Sequence, residues 1–167
     1  MSQPTMSYAI REASTDGDWE RATDLLQRVY VGGGFTAAAN AAQFMTRGNL
    51  EPAGVLLVAV NSANALVGTV LLLHPDSPLK QLALDGEREF RMQGVDESAR
   101  GAGIGEQLVQ ACVQRAWAEG AKAIVLWTQP SMHSAHRLYE RLGFRRAQQR
   151  DQNDARGFKR LVYLRER

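Results

Sequence analysis

Apolar residues divide the chain into short runs typical of strands and longer stretches with helical spacing. Continuous or alternating apolar runs predict strands at 8–11, 55–60, 66–73, 87–95, 123–128, 144–149 and 158–164. Apolar positions three and four residues apart predict helices at 16–31, 37–45, 104–119 and 131–142. This order predicts an α/β domain with a mixed, mostly antiparallel sheet of about seven strands and helices on both faces.

Short polar and glycine signals mark where the first two helices begin and end. Asp16 is a candidate N-cap for the first helix, and the triplet Gly32–Gly34 is expected to end it. Thr36 is a candidate cap for the second helix. The region from 16 to 45 is therefore predicted to be a helix–loop–helix.

The length and the hydropathy of the chain indicate one globular domain. With 167 residues we expect a single domain over 1–167, of which 1–7 is expected to be a loose leader. This leader has neither the basic start nor the apolar core of a signal peptide. No apolar run reaches the length of a membrane-spanning helix. We therefore expect a cytoplasmic protein with no membrane partner.

Charge and metal-binding residue types exclude two further classes of function. Twenty basic and eighteen acidic residues leave a formal charge of +2, too small and too dispersed to predict a nucleic-acid partner. Three scattered histidines and one cysteine provide no metal-ligand spacing, so no metal is expected. Cys112 falls on the apolar stripe of its helix, which indicates a packed thiol rather than a nucleophile. A homodimer is compatible with the sequence, which does not fix the oligomeric state.

The stretch Phe90–Glu106 reads as a strand, a turn, a glycine loop and the start of a helix. Gly94 interrupts the alternation of the strand and predicts a bulge there. Glycines from Gly101 to Gly105 lead directly into an apolar helix, so free backbone N–H groups converge on one point, a favourable place for a phosphate. Neither a dinucleotide-binding fingerprint nor a P-loop fits, because Glu106 and Gln107 occupy positions that those motifs reserve for other residues.

Two motifs together resemble one known family. Arg100, Gly103 and Gly105 form Arg-x-x-Gly-x-Gly, and the segment 135–144, AHRLYERLGF, is similar to the pattern A-x-x-L-Y-x-x-x-G-F. Both occur, in this order, in the GCN5-related N-acetyltransferases (GNAT), which move an acetyl group from acetyl-coenzyme A to an amine. The resemblance implies the GNAT fold, acetyl-coenzyme A as cosubstrate, and a small-molecule or peptide amine, including a protein amino terminus, as acceptor.

The resemblance also implies which residues bind the coenzyme. The glycine loop is expected to hold the pyrophosphate, and the end of the central strand is expected to hold the pantetheine arm as an added strand. The expected coenzyme-binding residues are Gly94, Val95, Arg100, Gly101, Ala102, Gly103, Ile104, Gly105 and Ser134. Two positions depart from the family pattern. Met132 replaces a frequent asparagine, so the coenzyme contact of that asparagine is either missing or supplied by Ser134 or His133. Glu97 replaces a frequent proline.

Two catalytic roles follow from the same resemblance. Tyr139 occupies the family's tyrosine position and is expected to protonate the departing thiolate. Glu89 lies where a glutamate serves as general base in the histone-acetylating branch, and Glu87 is an alternative. Both glutamates are equally compatible with solvated carboxylates at a strand edge.

Three questions stay open from the sequence alone. Tyr30 and Phe35, on either side of the glycine triplet, belong either to a connector with two core aromatic residues or to an acceptor pocket. A coenzyme-binding sensor without turnover shares the loop but does not need Tyr139. An acyltransferase with another acyl group or an alcohol acceptor is the other alternative.

Overall fold

The computed structural model describes residues 7–167, so the predicted leader lies outside the described residues apart from Ser7. Five helices are present in this part of the chain: α1 (Asp16–Gly32), α2 (Ala38–Phe44), α3 (Arg47–Leu50), α4 (Ile104–Ala118) and α5 (His133–Arg141). Eight strands accompany them: β1 (Tyr8–Glu12), β2 (Gly54–Asn61), β3 (Leu66–Leu73), β4 (Glu87–Val95), β5 (Ala123–Thr128), β6 (Arg145–Arg146), β7 (Gln152–Asn153) and β8 (Lys159–Glu166).

The strands form one mixed sheet in the order β1-β2-β3-β4-β5-β8-β6, with β7 paired to β8. Every neighbouring pair is antiparallel except β4 and β5, which α4 connects as a parallel crossover. The predicted mixed, mostly antiparallel sheet is confirmed. The strand predicted at 144–149 is wrong in extent, because it pairs with β8 only at Arg145 and Arg146 before a 3₁₀ turn at Gln148–Arg150.

Helices cover both faces of the sheet, as predicted. Leu25 and Leu26 of α1 are fully buried against one face, together with Met92 of β4. Leu108 and Cys112 of α4 are fully buried against the other face. The prediction that Cys112 is packed in the core is confirmed, and burial raises the pKa of its thiol to about 12.

The start of α1 differs by one residue from the sequence prediction. Thr15, not Asp16, is the N-cap, and its hydroxyl accepts a hydrogen bond from the Asp18 N–H at 3.0 Å. The Asp18 carboxylate accepts in return from the Thr15 N–H, which completes a capping box, and it also forms ion pairs with Arg11 and Arg21. The second helix likewise starts after Ala37, without the side-chain cap expected from Thr36.

Asp18 should make the stability of the fold sensitive to acid. The hydrogen bonds from Arg11, the largest cause, and from backbone N–H groups hold the pKa of this carboxyl well below its usual range. A depressed folded-state pKa stabilises the protein above the unfolded-state pKa of about 3.9, and this contribution is lost as the pH falls further. Asp18→Asn should lower the free energy of unfolding at pH 7 by about 1–3 kcal/mol.

Urea titrations between pH 7 and pH 2.5 test this expectation. The parent should lose more stability over that range than Asp18→Asn loses. Asp24→Asn on the exposed side of α1 is the matched control and should follow the parent curve. Parallel curves for the parent and Asp18→Asn would contradict the assignment.

The bulge in β4 lies at Met92 and Gln93, so its predicted position at Gly94 is wrong. Thr69 of β3 pairs with Gly94, and Leu71 pairs with Arg91. The two strands therefore differ by one residue between these pairs, two steps in β3 against three in β4. Met92 takes a left-handed backbone conformation with φ of +58°, which costs a non-glycine residue free energy. The Thr69 hydroxyl compensates by donating to the Met92 carbonyl at 2.8 Å.

The strands β4 and β5 separate beyond Glu89. Their parallel pairing covers only three residue pairs and ends at Glu89 opposite Val125. Further along, the end of β4 pairs with β3 while Leu126–Thr128 pair with β8, so the two central strands diverge. This divergence opens a V-shaped gap in the middle of the sheet.

Candidate active site

A cavity of about 1220 Å³ lies in the gap between β4 and β5. One half, which we call the coenzyme half because the coenzyme is predicted to bind there, is formed by the end of β4, the loop 99–103 and the first turns of α4 and α5. The other half, which we call the acceptor half because the acceptor is expected there, lies on the α1 and α2 side of the sheet and is lined by Tyr30, Phe44, Leu79, Gln81, Arg91 and Trp127. The volume exceeds that of a pocket for a single drug-sized ligand, which allows two substrates to bind together.

The glycine loop presents a row of free backbone donors to the coenzyme half. Gly101 and Gly103 have φ of +85° and +78°, a left-handed conformation that glycine adopts without a steric penalty. Within the described residues, none of the six N–H groups from Gly101 to Glu106 donates a hydrogen bond, whereas the Gln107 N–H donates to the Gly103 carbonyl. These N–H groups lie at the positive end of the α4 dipole, so they form a site for an anion such as a pyrophosphate.

Most of the residues predicted to bind the coenzyme line this cavity. They are Gly94, Val95, Arg100, Gly101, Gly103, Ile104, Gly105 and Ser134. Ala102 is exposed and does not line the cavity. The Ser134 hydroxyl, 3.4 Å from an Arg137 nitrogen, lines the coenzyme half beside Met132 and His133. The roles of these residues in binding stay predictions.

Gly105 is tightly packed, unlike Gly101 and Gly103, where an added Cβ atom would meet nothing within 4 Å. A Cβ atom there would come 3.0 Å from the Gln93 amide nitrogen and 3.5 Å from Leu138. This glycine lets the first turn of α4 approach β4 and α5 closely.

Tyr139 lies on α5 at the junction of the two halves of the cavity. Its ring packs edge-on against Phe90 and Phe144, with centroids 5.8 and 5.9 Å away, and only 4% of the residue is exposed. The Tyr139 hydroxyl has no hydrogen-bond partner among the described residues. It is not fully buried, so it faces the open cavity. Burial raises the pKa of Tyr139 well above its usual range, so the phenol keeps its proton at neutral pH.

Glu89 lies outside the cavity lining and anchors a loop. The residue is 1% exposed, and its carboxylate accepts hydrogen bonds from the N–H groups of Gln81, Leu82 and Ala83 at 3.0, 2.8 and 3.1 Å. The reading of Glu89 as a solvated edge carboxylate is therefore wrong. Its role as general base stays a prediction, and the geometry favours a structural role.

Glu89→Gln should destabilise the protein without removing a catalytic base. The three N–H groups converge on one carboxylate oxygen, and an amide replaces it with a neutral oxygen that accepts weaker hydrogen bonds, so the free energy of unfolding should fall by about 1–3 kcal/mol. Urea denaturation measures this, with the exposed Glu166→Gln as control. The pH profile of kcat/KM should keep its shape. A normally stable variant that loses an acidic limb of that profile would instead establish Glu89 as the base.

Glu87, the alternative base, is engaged at the far end of β4. Its carboxylate accepts from both terminal nitrogens of Arg150, at 2.9 and 3.1 Å, and from the Leu84 N–H at 3.1 Å. It does not line the cavity. The geometry therefore gives Glu87 an ion-pairing role between β4 and the 148–150 turn.

The acceptor half contains residues whose role the sequence left open or did not reveal. Tyr30 lines the cavity, donates from its hydroxyl to the Gln93 carbonyl at 3.2 Å, and packs edge-on against Phe35, so the connector reading is incomplete. Burial raises the pKa of Tyr30 to about 12. Arg91 and Trp127 were missed. A charged residue inside an otherwise buried strand was the available signal for Arg91.

A hydrogen bond from a side chain to the backbone closes one side of this cavity. The Gln129 amide at the end of β5 donates to the Phe35 carbonyl in the α1–α2 connection at 2.9 Å. It ties the helix–loop–helix to the far side of the gap. The acceptor half is thus walled by α1, α2 and β5.

Comparison with known proteins decides the family. A family model described as "Acetyltransferase (GNAT) family" matches residues 19–144, which is more than half of the chain. The chain belongs to the GNAT acetyltransferase family. The match includes both motifs, the glycine loop and the segment 135–144, and thus covers the coenzyme half and Tyr139.

Two curated acetyltransferases share part of the GNAT domain. N-acetyltransferase 8B of Homo sapiens is 34% identical over 109 residues, covering 63% of this chain and 45% of that protein. Mycothiol acetyltransferase of Saccharopolyspora erythraea is 33% identical over 97 residues, covering 58% of this chain and 29% of that protein. The chain spans less than half the length of these relatives.

Solved GNAT structures share the fold over nearly the whole chain. A GCN5-related N-acetyltransferase from Kribbella flavida has a TM-score of 0.73 at 22% identity, covering 96% of this chain and 98% of that one. The ribosomal-protein-S18-alanine N-acetyltransferase of Escherichia coli has a TM-score of 0.70 at 16% identity, covering 96% and 94%. At these identities the likeness establishes the GNAT fold, and the predicted fold is confirmed.

Residues 7–167 contain neither a membrane-spanning helix nor a cluster of metal-binding side chains. None of the helices there combines the length and the apolarity that crossing a membrane requires. No group of three or more histidine, cysteine, aspartate or glutamate side chains in the same residues is arranged to hold a metal ion.

Proposed function

We propose that this GNAT protein transfers the acetyl group of acetyl-coenzyme A to a primary amine by direct attack in a ternary complex. The acceptor is the amine of a small molecule or a protein amino terminus. The observation that carries the proposal is the row of free N–H groups from Gly101 to Glu106, which opens into the same cavity as the Tyr139 hydroxyl. One cavity thus offers an anion site, a proton donor and room for an acceptor.

The coenzyme would enter the gap from the α4 side. Its pyrophosphate would accept hydrogen bonds from the loop, and Arg100, which is exposed and lines the cavity, adds positive charge there. The pantetheine arm would lie between the diverging ends of β4 and β5, where the two strands no longer pair. This placement directs the thioester toward Tyr139.

Tyr139 would supply the proton that the leaving sulfur needs. Attack of a neutral amine on the thioester carbonyl forms a C–N bond, and collapse of the intermediate breaks the C–S bond. The neutral phenol of Tyr139 gives its proton to the thiolate as that bond breaks. The phenol is neutral when the substrates bind, so it still holds the proton that this step uses.

Removal of the amine proton has no clear protein base in the acceptor half. Glu106 and His133 are the acidic and imidazole groups that the described cavity lining contains, and both belong to the first turns of helices in the coenzyme half. We propose that water accepts the ammonium proton, with Glu89 as the alternative base. The pH profile of kcat/KM should then follow the pKa of the acceptor amine.

Thiol release from acetyl-coenzyme A tests the function. The protein is incubated with amines, amino acids, amino-terminal peptides and alcohols, and the acetylated product is identified by mass spectrometry. Release that depends on an amine and yields an N-acetyl product supports the proposal. Tight coenzyme binding without release across the panel would favour the sensor, and O-acetylation would favour the alcohol acceptor.

The names of the relatives agree on the acetyl group as the group transferred, but they do not agree on an acceptor. N-acetyltransferase 8B, mycothiol acetyltransferase and the ribosomal-protein-S18-alanine enzyme are all acetyltransferases by name. The molecules that these names include are different, mycothiol in one and an alanine of ribosomal protein S18 in another. We therefore carry over acetyl transfer and leave the acceptor to the chemistry of the cavity.

A further inference from the structure

Arg91 lies in the acceptor half of the cavity between two aromatic rings. It pairs with Leu71 of β3, on the face of the sheet that α1 and α2 cover. Its guanidinium carbon is 5.5 Å from the ring centroid of Phe44 and 5.8 Å from that of Trp127. Both rings contact the cation through their faces, and Arg91 itself lines the cavity.

No carboxylate of the described residues forms an ion pair with Arg91. Its recorded hydrogen bond to the Leu79 carbonyl is 3.5 Å long, the outer limit for such a contact. By contrast, the two nearby arginines Arg156 and Arg160 both bind Asp154 at 2.9 Å. The oxygen atoms of Glu89, two residues before Arg91, are already engaged by three backbone N–H groups.

The acceptor half consequently carries an excess of positive charge. Arg91 and Arg156 line it, whereas no acidic residue of the described lining lies in this half. Arg160 and the carboxylates of Asp154 and Glu89 lie outside the cavity lining. Burial lowers the pKa of Arg91, which reflects the cost of holding its charge away from water. An anion brought in by a ligand would remove that cost, and a guanidinium fork matches a carboxylate in two parallel hydrogen bonds.

We propose that the acceptor amine carries a carboxylate, which Arg91 binds through its guanidinium. This inference rests on the proposed function and names the class of its acceptor: amino acids and related amino carboxylates. It also disfavours polycationic acceptors, because Glu106, in the coenzyme half, is the one acidic residue among the described cavity-lining residues. Arg91 is a specificity-determining residue here, with no part in bond making.

Matched pairs of product-like ligands test the inference on the intact protein. The pairs are N-acetylglycine, N-acetyl-L-phenylalanine and 4-acetamidobutanoate, each against its primary amide. Calorimetry measures their binding to the protein saturated with coenzyme A. A charge-assisted hydrogen bond is worth about 1.5–3 kcal/mol, so at least one acid should bind about 10- to 100-fold more tightly than its amide.

Variants assign this preference to Arg91. Arg91→Gln should bring the ratio of acid to amide affinity close to one, while Arg91→Lys keeps the charge and should keep part of the preference. Arg145→Gln, on an exposed arginine outside the cavity lining, is the matched control and should keep the parent ratio. Coenzyme affinity should match the parent in all three variants.

The outcomes separate this inference from the proposed function. Equal binding of acid and amide by the parent in every pair overturns the inference, even if amines are acetylated. A parent preference that survives in folded Arg91→Gln overturns it as well, and so does tighter binding of O-phosphoethanolamine than of any acid. An Arg91-dependent preference without thiol release from any amine supports the carboxylate site and refutes acetyl transfer.

Discussion

Replacing Tyr139 by phenylalanine should lower kcat for acetyl transfer by about 10²- to 10⁴-fold, the usual contribution of a general acid. The phenol is the neutral proton donor that faces the cavity, so without it the thiolate must leave unprotonated or draw a proton from water. Coenzyme affinity should change little, because the free N–H groups of residues 101–106 are unaffected. Single-turnover rates at saturating substrates measure the chemical step directly.

Tyr163→Phe is the matched control for this prediction. Tyr163 is 2% exposed and packs 6.0 Å from the Tyr139 ring, but it does not line the cavity. The control should therefore turn over at nearly the parent rate. An unchanged acetyl-transfer step in a folded Tyr139→Phe variant would remove this residue from the mechanism.

Valine at Gly103 should reduce the affinity for acetyl-coenzyme A by about 100-fold or more. The site depends on several N–H groups converging on one anion, and hydrogen bonds to charged groups contribute about 1.5–3 kcal/mol each. Gly103 is left-handed at φ +78°, and a β-branched residue strongly disfavours that conformation. Isothermal titration calorimetry with acetyl-coenzyme A measures the loss.

Gly120→Val separates this effect from general instability. Gly120 ends the same helix α4 at its other terminus with φ of +87°, and a Cβ there meets no atom within 4 Å, as at Gly103. Both variants should lose a similar amount of stability in urea, about 1–3 kcal/mol. Only Gly103→Val should lose coenzyme affinity; equal affinity in the two folded variants would refute the loop as the anion site.

Local sequence signals determined most of the fold. The buried runs of β2 and β3 and the apolar stripe of α4 each depend on residues close in the chain, and each was predicted to within a residue or two. The β4 bulge was misplaced because it depends on a partner strand. The Thr69 hydroxyl stabilises Met92 in a conformation that the letters around Gly94 do not encode.

The candidate site likewise combines features that consecutive residues determine with features that depend on distant segments. The anion site is built from consecutive residues, so the glycines of 101–105 reveal it in the sequence alone. The roles of Glu89 and Arg91 depend on what other segments bring to them: three N–H groups from the 81–83 loop for one, two aromatic rings from α2 and β5 for the other. The position of Glu89 on its strand does not distinguish a carboxylate that anchors a loop from a general base.

An amide NMR titration of the ¹⁵N-labelled protein with coenzyme A tests most directly whether the glycine loop is the anion site. The N–H resonances of Gly101, Gly103 and Gly105 should shift on binding, because these groups acquire a phosphate acceptor that they otherwise lack. They should saturate with the same Kd that calorimetry gives. Saturable coenzyme binding that leaves these three resonances in place would contradict this role of the loop.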